Sequence, residues 1–348
     1  MSEEKPIQVK VPPPRKRTDP NAAYVNKGAV PGNPDNLTVE DEKAFKGFIP
    51  KRGEMALYDS QGHNFNMRDM YRGSQAFLVL SGPSLNDLDL SQLRERRGIV
   101  TMGVNNSWVV YKPQLWVGVD DPGNFVDIGW KDPSITKFAP AGHWHKWLVV
   151  KEDNGTFRRS QFRVDDMPNV YYFRRNHNFD VKKFLHEPTV NWGNEDKGID
   201  ALGIKGGRSV MLSAIKILYY LGFRTVYMLG ADFNMSSEAD QNYAFKQHRD
   251  SVSVSGNNAT YAKLNKRFTA LLPEFAEEGM RIYNCYQKSG LTAFPYMSYN
   301  EALDRASATC SKPIDTEGWY DRKERERAAE KARKEQEKKA TEEDESDR

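Results

Sequence analysis

The sequence has few cysteines and no long apolar runs. Of its 348 residues only Cys285 and Cys310 are cysteines, and they lie in unrelated settings. That argues against a disulfide framework or a cysteine-based zinc site, and it suits a reducing, cytoplasmic setting. No stretch reaches the roughly 18–20 apolar residues a membrane-spanning helix needs. The opening MSEEKPIQVKVPPPRKR has no apolar core of a secretory signal. Charge of one sign is also scarce: the formal net charge is +3, too small to imply nucleic-acid binding by itself. What is present is a polar chain, 28% charged with a mean hydropathy of −0.76, that still carries 11% aromatic residues. A well-built domain with disordered, polar ends reconciles these figures.

The ends are distinct from the middle. Residues 1 to about 70 read as an N-terminal tail: Pro12, Pro13 and Pro14 run into Arg15, Lys16 and Arg17, and the PGNPDN stretch follows with no helical or strand period. Such a composition buries too little apolar surface to offset chain entropy. LTVEDEKAFKGF is compatible with a short helix there. Residues 311–348 read as a charged, partly helical tail, with opposite charges four apart such as Glu330 and Lys334 and no apolar stripe.

Residues 71–310 form the working domain, and strand and helix signals alternate along it. GSQAFLVLSG, GIVTMGVNNSW, PQLWVGVDD, TVYMLGADF and GMRIYNC read as strands. SLNDLDLSQLRERRG carries a helical stripe of Leu85, Leu88, Leu90 and Leu93. SVMLSAIKILYYLGF is the strongest helix, closing on Gly222, and AKLNKRFTALLPEFAEEG is another. This order predicts an α/β, Rossmann-like fold: a mostly parallel sheet with helices on both faces, as a single domain.

In such sheets ligands bind beyond the carboxyl ends of the strands, which selects the candidate residues. Gly82, Pro83 and Ser84 form a turn that either admits a ligand anion or simply caps a helix. Asn105 and Asn106 offer paired amides for a base or ribose edge, or an Asx turn. Of Asp120 and Asp121, Asp120 is expected to face the cleft, because Asp121 precedes a proline. It could hold Mg²⁺, accept from a ribose, or cap a turn. Gly230 and Asp232 close a further strand. Gly206, Gly207, Arg208 and Ser209 open the long helix, where backbone N–H groups and a guanidinium favour phosphate or carboxylate. His248, in what reads as a polar loop after the GADF strand, is the candidate general base or acid. His143 and His145 could share one strand face as metal ligands, but no matching cysteine or carboxylate pair lies nearby.

LSGPSLNDLDLSQL followed by GVNNSW, and later LGFRTVYMLGADF followed by NYAF, resemble the bacterial sialyltransferases that modify lipooligosaccharide. The wider superfamily includes motility-accessory glycosyltransferases and archaeal-type 6-hydroxymethylpterin pyrophosphokinases. The resemblance spans about residues 74 to 305 in separated blocks. It implies a nucleotide or nucleotide-sugar ligand, with Gly82, Pro83 and Ser84 on the phosphate side and Asn105 touching the nucleotide. Asp120 stands where the sialyltransferases have Asn, which suits a metal-bound diphosphate better than a metal-free CMP-sugar. Their catalytic histidine aligns near Asn257 and Asn258, with His248 offset from it. Three functions are therefore expected: a glycosyltransferase acting on a glycan, protein or nucleic-acid acceptor, an Mg²⁺-dependent pyrophosphokinase, or a non-enzymatic nucleotide-binding or interaction protein.

Overall fold

The computed structural model describes residues 55–194, 198–237, 241–247, 251–308 and 317–346. The LTVEDEKAFKGF segment, Cys310 and His248 lie outside the described residues. The chain divides into two compact units, residues 1–308 and 309–348.

The first unit is built on a seven-stranded sheet. Its strands are β1 (Gln75–Val79), β2 (Ile99–Val104), β3 (Leu115–Val117), β4 (Thr136–Pro140), β7 (Val170–Phe173), β10 (Thr225–Leu229) and β11 (Arg281–Asn284), in the spatial order β11-β10-β1-β2-β3-β4-β7. Every neighbouring pair is parallel. The strands read as continuous apolar runs because both faces are covered. Ala76, Leu78 and Leu80 belong to one core with the helix α3 (Val210–Tyr220) and with Leu264, Phe268, Leu271 and Phe275 of α4 (Ser251–Glu277). Phe77 and Val79, one step along the strand, face the other way into a core with Leu85, Leu93 and the apolar side of α5 (Tyr299–Ser307). A third cluster, rich in tryptophan, gathers Trp116, Trp130, Trp144 and Leu148 around the outer strands. The one-turn helices α1 (Gln92–Glu95) and α2 (Asp127–Lys131), an antiparallel ribbon of β5 (Trp147–Lys151) and β6 (Phe157–Arg163), and the short pair β8 (Arg175–Asn176) and β9 (Val190–Asn191) fill the connections.

Helix α3 is buried along its whole length, which is why it is apolar on every side. Ser209 caps it by accepting from the Met211 N–H at 3.2 Å. The helix includes Lys216, fully buried, whose ammonium donates to the carbonyls of Phe184 and Glu187 at 2.6 and 2.7 Å. Burial depresses its pKa to about 7, against the opposing pull of the Glu187 carboxylate.

Three expectations change. Residues 55–70, assigned to the tail from their polarity, are packed against the domain: Met55, Leu57 and Tyr58 are buried, and Tyr58 exchanges backbone hydrogen bonds with Tyr172 at 2.9 and 2.7 Å. The leucine stripe of residues 85–93 is not one helix. Pro83–Asp87 is a 3-10 turn, and Ser91 then bonds back to Asp89 before α1 begins. Residues 251–258, read as part of a polar loop, are the first turns of α4, which runs through Gly256 and contains Pro273.

The second unit holds α6 (Arg322–Ser346), whose described side chains are all exposed. Pairs four apart, Arg322–Glu326 at 2.8 Å, Glu330–Lys334 at 2.8 Å and Arg333–Glu337 at 3.4 Å, lie along it, matching the helical reading of this end. No helix among the described residues is long and apolar enough to cross a membrane.

Candidate functional site

The strand order reverses between β1 and β10. From β1 the chain steps outward through β2, β3, β4 and β7, then returns to place β10 on the other side of β1 and β11 beyond it. The crevice at such a reversal, outside the carboxyl ends of the strands, is where open α/β sheets bind ligands. Here it is a cavity of about 460 Å³. Backbone pairing continues past the strand ends into its floor, from the Leu80 N–H to the Leu229 carbonyl at 2.9 Å and from Gly82 to Gly230 at 3.0 Å.

Five strand-end candidates line this cavity: Gly82, Asn105, Asp120, Gly230 and Asp232. From the opening of α3 come Gly207, Arg208 and Ser209. Pro83, Ser84, Asn106 and Gly206 are outside its lining, although Asn106 lines a smaller adjoining cavity.

The Gly82–Ser84 turn is arranged differently from expectation. The Asp232 carboxylate accepts from the Ser84 N–H at 3.1 Å and from the Ser84 hydroxyl at 2.7 Å. The anion at this turn is therefore the protein's own. Gly82 is needed for the same reason: a Cβ there would collide with the Asp232 carboxylate and stand 2.5 Å from the Gly230 carbonyl oxygen. Asp232 is 8% exposed, and burial raises its pKa, opposed by the two Ser84 hydrogen bonds.

At the end of β3 the two acids divide their roles. Asp121 accepts from the Gly123 N–H at 3.0 Å and pairs with Lys146 at 2.7 Å, so it is a turn cap. Asp120 is exposed and lines both cavities. The cavity wall thus carries two carboxylates, Asp120 and the Ser84-bound Asp232. No group of three or more His, Cys, Asp or Glu able to hold a metal occurs among the described residues. A Mg²⁺ ion here would rest on Asp120 and on oxygens of the ligand, as Mg²⁺ at phosphate sites commonly does.

The loop into α3 is held from behind. Arg267 of α4, fully buried, bonds Asp200 at 3.0 Å and donates to the Gly207 carbonyl at 2.6 Å. Gly207 has a left-handed backbone, φ +71°, and lies hard against Arg267 and Lys263. Next to it, the Arg208 guanidinium lies 5.1 Å from the ring centre of Trp192, and Arg175 lies 4.8 Å from the same ring. Arg175 also donates to the Val119 carbonyl at 3.2 Å, just before Asp120.

Several lining residues escaped sequence reasoning. Trp192 sits in a stretch with no periodicity. Thr260 and Tyr261 enter from α4 just beyond the part that reads as a loop, one turn after Asn257, the position near which the resemblance aligns a catalytic histidine. Tyr261 stacks on Phe233 at 4.7 Å. Phe233 follows Asp232 directly, so its neighbourhood was visible, but not its left-handed backbone at φ +52°. Asn105, φ +48°, shares that conformation on the same cavity. Strained non-glycine residues of this kind concentrate at ligand sites. Asn258 bonds Met235 through both ends of its amide at 3.0 and 2.8 Å, fixing the loop after β10. The two imidazoles of the 143–145 segment do not form a ligand pair. His143 is buried, with burial holding its pKa well below the usual value, and His145 faces Asp165 at 3.2 Å.

Compared with known protein families, curated proteins and solved structures, the chain matches none.

Proposed function

We propose that the chain is a transferase that binds a nucleotide-sugar in the switch-point cavity and passes the sugar to an acceptor hydroxyl. The observation that carries this reading is the polarity of the cavity. Its lining brings together a guanidinium, Arg208, at the start of a buried helix and a carboxylate, Asp120, at the end of β3. The leaving phosphate belongs beside Arg208, where a cation and helix N–H groups favour negative charge. Trp192 and Tyr261 supply aromatic faces for a base. The sugar extends toward Asp120, which takes the acceptor proton. The commitment of Asp232 to Ser84 favours this over a diphosphotransferase, whose two metals or bridging metal would draw on a second carboxylate.

A thermal-shift series with CMP-, UDP- and GDP-sugars and with ATP, each with and without Mg²⁺, tests the reading. A nucleotide-sugar that binds the folded state raises the melting temperature. Arg208→Ala should weaken that ligand about 10- to 100-fold, since a charge-assisted hydrogen bond contributes about 1.5–3 kcal/mol. Stabilisation by ATP with Mg²⁺ alone would replace the reading with the diphosphotransferase, and no stabilisation by any of them would leave the cavity without a nucleotide.

A further inference from the structure

A further cavity, of about 460 Å³, lies at the opposite end of the sheet, where β2 and β3 begin, and shares no lining residue with the switch-point cavity. Three cationic side chains line it: Arg94 and Arg96 from the end of α1, and Lys112 from the connection into β3. We propose that this cavity is a second binding site, that it takes a small organic phosphate, and that it does so independently of the nucleotide-sugar reading above.

The floor and the rim differ in kind. Leu93, Ile99, Tyr111 and Pro113 are buried and give an apolar floor with one aromatic ring. Arg94 and Lys112 are exposed and Arg96 is half-buried, so the positive charge stands at the rim. A ligand that matches both has an apolar body and an anionic head. The volume falls within the range of ligand pockets, about 300–1,000 Å³, and leaves room for a body beyond a bare phosphate ion. A phosphate monoester carries about −1.5 to −2 charges near neutral pH and three acceptor oxygens, which suits three converging cations better than a carboxylate does. The rim is held in place by Gln114, whose carbonyl oxygen accepts from the Thr101 N–H and hydroxyl, both at 2.7 Å, and so stitches the start of β3 to β2.

Each cation has donors to give. The Arg94 guanidinium lies 5.1 Å from the centre of the Tyr111 ring, a contact that takes up no carboxylate and leaves its fork of N–H groups to match two phosphate oxygens. Arg96 pairs with Asp304 of α5 at 2.5 Å, but the Asp304 side chain is 72% exposed. Exposed pairs of this kind contribute little, so Arg96 can turn to a doubly charged ligand. Lys112 pairs with Asp132 at 2.6 Å. Asp132 also accepts from the Ser134 N–H at 2.8 Å and from its hydroxyl at 2.7 Å. The three donors of the Lys112 ammonium can therefore serve a ligand as well without stranding that carboxylate.

The test is isothermal titration of the full chain with phenyl phosphate, and with phenol and inorganic phosphate as the two halves of that probe. Phenyl phosphate should bind about tenfold or more tightly than either half, because the floor holds the ring and the rim holds the phosphate. Arg94→Ala and Lys112→Ala should each weaken it about tenfold or more, as loss of a charge-assisted hydrogen bond does. Affinity should also fall as salt rises. Arg208→Ala, in the other cavity, should leave phenyl phosphate binding within about twofold, since the two sites share no residue. Melting curves of each variant check folding, and Lys112→Gln stands in if Lys112→Ala does not fold. No binding of phenyl phosphate, binding of inorganic phosphate as tight as that of phenyl phosphate, or binding that survives both Arg94→Ala and Lys112→Ala would each overturn the site. Binding lost with Arg208→Ala but kept in the other two variants would overturn it as well, by moving the phosphate to the switch-point cavity.

Discussion

The most informative substitution is at Asp232, because it separates a structural carboxylate from a ligand-binding one. The side chain accepts two hydrogen bonds from Ser84, at 3.1 and 2.7 Å, in a site only 8% exposed. Hydrogen bonds to a charged acceptor contribute about 1.5–3 kcal/mol each. Asp232→Ala loses both and leaves the Ser84 N–H buried without its acceptor, but it also removes the desolvation that raises the pKa of Asp232. The net expectation is a loss of about 2–4 kcal/mol. Asp232→Asn keeps an acceptor for the N–H and can donate to the Ser84 oxygen, so it should cost under about 1 kcal/mol. Urea unfolding followed by tryptophan fluorescence measures both. The pH dependence gives a second handle. An acid whose folded pKa lies above its unfolded value binds protons more tightly when folded, so this contribution to stability falls as pH rises from the unfolded value through the folded one. Asp232→Asn should flatten that decline. Ser84→Ala completes a double-mutant cycle, in which the pair should be coupled by about 1 kcal/mol or more. Additivity within about 0.5 kcal/mol, or an unchanged pH slope, would refute the reasoning and return Asp232 to the ligand.

Arg267→Met should destabilise by about 3–5 kcal/mol, because it leaves the buried Asp200 charge unpaired; the double variant Arg267→Met with Asp200→Leu should recover a good part of this in the same urea assay. Lys216, with a folded pKa of about 7 set first by burial, loses its proton more readily in the folded state than in the unfolded one. Stability from this group should therefore rise between about pH 7 and pH 10, and Lys216→Met should remove that rise in calorimetric melts. A peptide of residues 317–346 should lose helical circular dichroism as salt increases, since each pair four apart along α6 contributes only about 0.3–0.5 kcal/mol and is screened.

The sheet was legible because strands such as Gln75–Val79 and Thr225–Leu229 are buried on both faces, and that demands unbroken apolar runs. Strand ends followed from those runs, so Asp120, Asn105 and Gly230 could be picked by position alone. What position could not show is which partners occupy them. That Gly82 makes room for Asp232 depends on the Ser84–Asp232 contact, between residues 148 apart, and no local pattern encodes it. The start of α4 was hidden because Gly256, Asn257 and Asn258 are poor helix formers that tertiary packing overrides. Residues 55–70 looked like tail because Met55, Leu57 and Tyr58 contribute apolar side chains without a sustained period.

The placement of β1 between β2 and β10 also bears on how the chain is made. One side of β1 is covered as soon as β2 emerges from the ribosome. The other side waits for β10, and Ser84 and Asp232, which lock the two strand ends together, are 148 positions apart. At about 5–20 residues per second this is roughly 7–30 s of synthesis during which an apolar strand keeps an open edge. The cavity has no floor during that interval, so the nascent chain gains its ligand site only when β10 closes on β1.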